Sequence, residues 1–391
     1  MKKYFWMAAL LLSATLGFTA CGEDDPEPVV DPETSSALVC VEQIIDGCMD
    51  IANEVGNAKI GDPYDLFKSG RTTEALYAVE SWYSWHSIDD YSNNILSIRN
   101  AYFGTRNGSK ATHSLATLIE GNNASLDKQV RDAITAAHDA IQNIPAPFRS
   151  NIGAPEVQTA MQACNDLEEV LGNLKGYLQR TSAVNGNDVL QPILSTYVND
   201  VVLPTYKSLV DANTALYQAA QKFAQSPSDA NFKAACEAWF DAREPWETSE
   251  AFLFGPVDAL GLDPNMDSWP LDQEAIVNIL NSGKFDDLTW SDGDSDDEIE
   301  AVQSVRGFHT MEFLIFKNGQ ARTLNDGTST DPADLDYTSA NAKSWGNYMV
   351  QVGYLLQQDA TELYNAWTRS YEGGKAYKDI FLNHEIEVDE E

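Results

Sequence analysis

Long apolar stripes at alternating spacings of four and three residues restrict this chain's fold more than any other feature. Val202, Tyr206, Leu209, Asn213, Leu216, Ala220 and Phe223 keep that spacing, as do Leu38, Val41, Ile45, Cys48, Ala52 and Val55. So do Val130, Ile134, Ala137, Ile141 and Ile144, and the run Val157, Met161, Cys164, Leu167, Leu171, Leu174 and Leu178. Trp345, Met349, Val352 and Leu356, followed by Leu363 and Trp367, complete the set. The spacing puts each stripe on one face of a helix, and such a face must be buried against another element. Convincing period-two segments are missing. The pattern predicts an all-α fold of packed antiparallel helical bundles.

Breakers divide the stripes. Pro145-Ala-Pro147 closes one segment, Asn185-Gly-Asn187 separates the halves, and Gly255-Pro256 and Asp263-Pro264 mark an irregular stretch. With 43% hydrophobic residues and about 355 residues beyond residue 36, the chain can bury a large core and divides into two domains, 37–184 and 185–391. Four cysteines fall in these domains: Cys40, Cys48, Cys164 and Cys236. Cys40 and Cys48 read as one helix, and eight residues of helical rise, about 12 Å, is too far for a bridge. Buried thiols are expected, or at most one long-range disulfide.

The first 36 residues read differently. Lys2 and Lys3, an apolar run from Phe5 to Leu16 too short to span a bilayer, and Phe18-Thr19-Ala20 before Cys21 have the form of a lipoprotein signal peptide over residues 1–20. Cys21 is then the lipidated first residue of the mature chain. The stretch 21–36, acidic and proline-rich, is a solvated tether. The acidic residues directly after Cys21 look like a surface-export signal of bacterial lipoproteins. The expected location is the cell envelope, as an outer-membrane lipoprotein on the surface or the periplasmic face, with the lipid as the anchor.

The chain carries 25 Lys and Arg against 60 Asp and Glu, a formal charge of −35. Such a surface repels nucleic acid and anionic lipid and is compatible with attracting cations, so nucleic-acid binding is excluded. The acidic loop Asp287 to Glu300 alternates Asp292, Asp294 and Asp296 like the start of an EF-hand. Asp297 and Gln303 stand where the glycine and the final acid are needed, which leaves a solvated loop.

Two segments place ionisable side chains at helical spacing inside apolar sequence: Arg306 to Phe316 (RGFHTMEFLIF) and Arg243 to Asp258 (REPWETSEAFLFGPVD). His309 and Glu312, three apart, share a helix face. Arg243, Trp246 and Glu250 are expected to share another. Charges embedded in apolar runs must be paired or used.

The Gly307-x-His309-x-x-Glu312 motif, the segment Arg243, Trp246, Glu250 and Phe254 to Val257, and the pair Trp269-Pro270 together resemble the imelysin-like family of bacterial exported proteins. The block Glu80 to Gly104 (ESWYSWHSIDDYSNNILSIRNAYFG) also looks like the family's, but it precedes the motif half instead of following it, as in a circular permutation. Near termini and a surface junction would permit such an exchange. The resemblance implies two packed helical-bundle domains with the motif residues meeting between them. It also implies association with iron uptake and a metallopeptidase label.

On this reading Arg243, Glu250, His309 and Glu312 from one half meet Glu80, Ser81, Ser84, Ser87 and Asp89 from the other. With Trp82, Tyr83 and Trp246 they line a polar interface cleft for a small ligand, a metal or a chelate such as haem. Iron or another divalent cation is the candidate cofactor, with His309 and Glu312 its candidate ligands. The plainer alternative for His309 is an imidazole satisfied by Glu312 and Arg243 in a structural network. A metallopeptidase needs three protein ligands, an open position and a general base, and the chain has no HExxH. A di-iron bundle needs a repeated Glu-x-x-His. A nutrient-binding partner of an outer-membrane transporter is a third class. Trp269 and Trp345 are expected in the core.

Overall fold

The structure is a computed structural model that describes residues 36–285, 288–291, 293–324, 337–338 and 340–386. The expected signal peptide, Cys21 and the tether before Ser36 lie outside the described residues, as do Asp287 and Asp292 of the acidic loop.

Each predicted stripe becomes the buried face of a helix. The Leu203–Gln225 helix buries Thr205, Tyr206, Leu209, Asn213, Leu216, Ala220 and Phe223. It packs this face on the Ala342–Thr368 and Asp229–Glu247 helices. Burying each such leucine or phenylalanine is worth about 1.5–3 kcal/mol, so this stripe is a principal source of local stability. The Gly307–Ile315 helix, buried at every position, fits against the same two neighbours. The Pro155–Arg180 helix packs with Ser36–Asn53 and Ala124–Gln142, and Ser87–Phe103 crosses the last two. These two groups of helices meet where Ser87–Phe103 lies on Asp229–Glu247 and where Ser36–Asn53 lies on the turn Glu250–Phe252. The described residues from Ser36 to Ile386 form one compact unit.

The fold is all-α apart from a two-residue antiparallel ribbon, Phe316–Lys317 with Gln320–Ala321. Its turn residue Gly319 has φ +75° and lies so close to Trp85 that a Cβ would stand 2.5 Å from the ring. The Gly319 amide donates to the Tyr83 carbonyl at 2.9 Å, tying the ribbon to the 80–86 segment.

Two departures from regular helix set up the site. The Ser36–Asn53 helix runs into a π-helical turn, Glu54–Lys59, and the lysine ending it is buried. Such turns insert a residue and re-aim side chains. The Asp229–Glu247 helix starts under the Ser228 hydroxyl, which accepts from the Asn231 amide at 3.2 Å. At its end Thr248 Oγ donates to the Glu244 carbonyl at 2.8 Å and Ser249 Oγ to the Trp246 carbonyl at 2.6 Å. These hydroxyls compete for helical acceptors. Glu250 therefore opens a separate 3₁₀ turn, and the expected single helical face of Arg243, Trp246 and Glu250 is broken.

All four described cysteines are buried free thiols. Burial pushes the Cys40 and Cys164 thiols up to about 12, which keeps them unreactive. Among the described residues no helix is long and apolar enough to cross a membrane. Trp345 is fully buried as expected, whereas Trp269 is only half-buried, its ring against His309 at 4.8 Å between centroids.

Candidate functional site

The motif helix begins at Gly307 with φ +83°, where a Cβ would stand 2.5 Å from the Met266 carbonyl oxygen. Glycine is required there by both conformation and space. One turn on, Glu312 Oε1 accepts from the Tyr83 amide at 3.0 Å, the Ser84 amide at 2.7 Å and the Ser84 hydroxyl at 2.7 Å. Its Oε2 lies 3.0 Å from His309 Nδ1. The early and late parts of the chain thus converge on one carboxylate. That carboxylate holds a segment in which Ser81 and Trp85 both have positive φ, 48° and 65°. Strain of this kind persists where surrounding contacts over-determine it.

With Nδ1 engaged by Glu312, His309 Nε2 points to Asp267 Oδ1 at 3.3 Å and makes no hydrogen bond, although the residue is 1% exposed. Asp267 is a hub. Its Oδ1 is paired with Arg243 Nη1, and its Oδ2 accepts from Trp246 Nε1 at 2.8 Å. Arg243 also reaches Asp90 Oδ2 at 3.4 Å and Glu247 Oε1 at 2.5 Å. Asp90 in turn takes the Ser81 hydroxyl, and Glu247 takes the Asn94 amide at 2.5 Å. A second, looser group adjoins this one. The Lys59 ammonium stands 3.4 Å from Glu80, 3.5 Å from Glu54 and 3.9 Å from Glu250.

Seven buried or half-buried carboxylates, Glu80, Asp90, Glu247, Glu250, Asp263, Asp267 and Glu312, therefore face Arg243, Lys59 and His309. The imbalance appears in their proton affinities. Burial, only partly offset by Arg243, pushes Asp90 up to about 6 and Glu247 up to about 8. Burial and the Asp267 charge push Asp263 up to about 7. Burial, partly offset by Lys59, drives Glu250 well above the carboxylate range. Asp267 goes the other way: burial opposes its charge, but Arg243 and His309 outweigh that and hold it low. Burial and Arg243 oppose protonation of His309, yet Asp267 and Glu312 raise it above the usual imidazole value. Glu247, Glu250 and Asp267 offer oxygens that all lie within 4.8 Å of one another, a spacing that a metal ion could bridge.

Most of the residues singled out from sequence are brought together. His309, Glu312, Arg243, Trp246, Ser81 and Ser84 share the first network, and Glu250 and Glu80 share Lys59. Ser87 Oγ donates to the Glu80 carbonyl at 2.6 Å. Asp89 does not join them. Its side chain is 58% exposed and, among the described residues, its ion pair is with His86, while its neighbour Asp90, one helical step around, points inward. Trp82 is also turned to other partners: Arg149 stacks on its ring at 3.5 Å and Tyr77 at 5.4 Å. The expected cleft is a packed ionic network. Arg243 satisfies His309 only through Asp267. In the acidic loop, Asp294 accepts from the Ser291 amide at 2.8 Å and Asp296 starts the Asp296–Gln303 helix.

Sequence reasoning missed Lys59, Asp90, Glu247, Asp263 and Asp267. Glu247 had a signal, standing four residues after Arg243 in the quoted segment. Asp267 had a weaker one, two residues before Trp269-Pro270. Lys59 had none, because its orientation follows from the π-helical turn.

A helical fold with this motif at the meeting of its two helix groups defines a class of proteins, and comparison places the chain in it. The imelysin family model matches residues 23–174 and 202–391, and the chain belongs to that family. It is similar to a crystal structure of an imelysin peptidase from Bacteroides ovatus, with 58% identity and a TM-score of 0.73, covering 75% of this chain and 84% of that one. It is also 34% identical over 147 residues to iron-regulated protein A of Synechococcus elongatus. That match covers 38% of this chain and spans about a third, 36%, of the relative's length.

Proposed function

We propose that this protein binds a metal cation, iron foremost, at the buried carboxylate and imidazole network, and that it serves iron acquisition as an envelope lipoprotein anchored through Cys21. One observation carries the reading: a largely buried cluster in which carboxylates outnumber cations and the His309 Nε2 atom, inside it, faces Asp267 Oδ1 at 3.3 Å without forming a hydrogen bond. Such a cluster must take up protons or a cation to be neutral. Glu247, Glu250 and Asp267 would hold the ion, with His309 Nε2 beside Asp267 Oδ1 at 3.3 Å. An oxygen-rich set with one imidazole suits iron or manganese. Glu312 would act from behind, fixing the imidazole through Nδ1. The similarity to an iron-regulated protein supports iron as the cargo. An outer-membrane transporter is the partner this role calls for. The match of the family model in two segments is compatible with exchanged halves.

The peptidase label of the family favours a second reading, hydrolysis at the same motif. The geometry argues against the motif glutamate as general base, because Glu312 Oε1 already accepts three hydrogen bonds and Oε2 faces His309.

Calorimetric titration with Fe²⁺ under anaerobic conditions, and with Mn²⁺ as a redox-stable substitute, tests the proposal. Stoichiometric binding that Asp267→Asn and His309→Ala weaken at least tenfold is expected. No binding by a folded wild-type protein refutes it. Metal-dependent cleavage of a peptide library, abolished in His309→Ala, would establish the second reading instead.

A further inference from the structure

We infer that Lys59 is a built-in competitor for the cation: its ammonium occupies the carboxylate cage of Glu80, Glu250 and Glu54, and an incoming divalent ion displaces it. This rests on the cation-binding reading above and adds a residue that sets affinity and reversibility.

Three observations point the same way. First, Lys59 is held differently from Arg243. Arg243 is fixed by close contacts to Asp267 and Glu247, whereas the Lys59 ammonium approaches no carboxylate closer than 3.4 Å. It sits among acceptors at distances where attraction is diffuse and an ion of higher charge density would be preferred. Second, Lys59 is the cation that contacts Glu250 among the described residues, and Glu250 belongs to the oxygen set that could bridge a metal. A divalent ion on Glu250 would compete with the ammonium, 3.9 Å away, for the same carboxylate and repel it, since both are cations in a shielded site. Third, the displaced ammonium has somewhere to go. Glu54, its third partner, lies one helical turn earlier and its side chain is half exposed. A lysine stem is long and flexible enough to swing to that side with its charge still paired. The π-helical turn explains why a lysine is in the cage at all, because the wider turn carries residue 59 to the inner face.

An ammonium held in the cage neutralises part of it while empty, so the apo protein stays folded, and each binding event must eject it. The result is a weaker, more reversible site than the same carboxylates would give alone, as suits a carrier that must release its cargo.

Two measurements test this with the full-length protein. Lys59→Met should bind Mn²⁺ at least tenfold more tightly than wild type by calorimetry, with a larger rise in melting temperature on adding Mn²⁺. Lys59→Arg should not show this gain. The gain in Lys59→Met should vanish in Lys59→Met/Glu250→Gln. The second measurement needs no variant. In the wild type, acetylation of Lys59 by an amine reagent, mapped by peptide mass spectrometry, should be slow in apo protein and accelerate severalfold with saturating Mn²⁺. Mn²⁺ binding with unchanged Lys59 reactivity and no gain in Lys59→Met overturns the inference while leaving the binding site intact. Absence of binding in both wild type and Lys59→Met overturns both. Binding by Lys59→Met alone supports the competitor and shows it to be strong enough to block the wild-type site.

Discussion

Replacing Glu312 by alanine is the sharpest perturbation of this site, because one carboxylate there accepts from two amides and a hydroxyl and braces an imidazole. Truncation leaves the Tyr83 and Ser84 amides and the Ser84 hydroxyl as buried donors with no acceptor. Each unsatisfied group costs about 1–3 kcal/mol, reduced where water enters the space left by the side chain. Ser81 and Trp85 then hold positive φ with less support, at about 1–3 kcal/mol of strain each. Together these give a loss of about 5 kcal/mol, which in a chain of this size lowers the melting temperature by roughly 7 °C. Glu312→Gln retains an acceptor for the two amides but loses charge-assisted bonding, so its loss should be near half that. Thermal melts and hydrogen exchange of the 80–86 segment provide the assay, with the Tyr83 and Ser84 amides exchanging much faster in Glu312→Ala. A Glu312→Ala protein that melts within 2 °C of wild type, with those amides still protected, would refute the reasoning.

Four further expectations follow from the same geometry. Asp90→Ala leaves the Ser81 hydroxyl without its buried acceptor while Arg243 keeps Asp267 and Glu247, and should destabilise by about 1–3 kcal/mol, whereas Asp89→Ala, at a mostly exposed side chain, should change stability by less than about 1 kcal/mol in the same denaturant titration. Gly307→Ala should cost at least about 2 kcal/mol, read by thermal melting, since both φ and the Met266 carbonyl oppose a side chain. Stability without added cation should fall as pH rises from about 5 to about 8: Asp90, Asp263 and Glu247 have folded values near 6, 7 and 8, above their unfolded values near 4, so the folded state holds more protons in that window and loses ground as they leave. Saturating Mn²⁺ should flatten that slope, and a melting temperature that instead climbs over the same range without metal would contradict the assignment.

What sequence alone could supply depends on how local each determinant is. The stripe of the Leu203–Gln225 helix was legible from Tyr206 to Phe223, because a 3.6-residue period is written along the chain itself; Val202 falls in the preceding π-helical turn and buried Thr205 was not read. His309 and Glu312 were legible for the same reason: their pairing is a one-turn contact within a helix. The end of the Asp229–Glu247 helix was not, since it depends on two hydroxyls, of Thr248 and Ser249, choosing backbone acceptors over solvent. That choice moved Glu250 from the Arg243 face to the Lys59 cage. Asp89 and Asp90 illustrate the limit most clearly. They are equivalent in composition and adjacent in sequence, yet 100° of helical rotation puts one in water and the other against Arg243. Asp267 ends a six-residue helix, Leu262–Asp267, too short to show a period, and Lys59 comes from a π-helical turn.

The unread residues are those that decide the chemistry. The legible set, His309, Glu312, Arg243, Glu250 and Glu80, already holds more carboxylates than fixed cations, but not the partners that bind Arg243 and Glu250 into one buried cluster. Adding Asp90, Glu247, Asp263 and Asp267 shifts the balance further toward carboxylate, and only Lys59 comes with them. A buried network with matched charges needs nothing more and serves architecture; one with surplus carboxylates cannot be neutral without drawing protons or a cation from outside. The distinction between scaffold and binding site here is therefore a matter of counting groups that only the tertiary fold assembles. The raised proton affinities of Asp90, Glu247 and Asp263 are the measurable sign of that surplus.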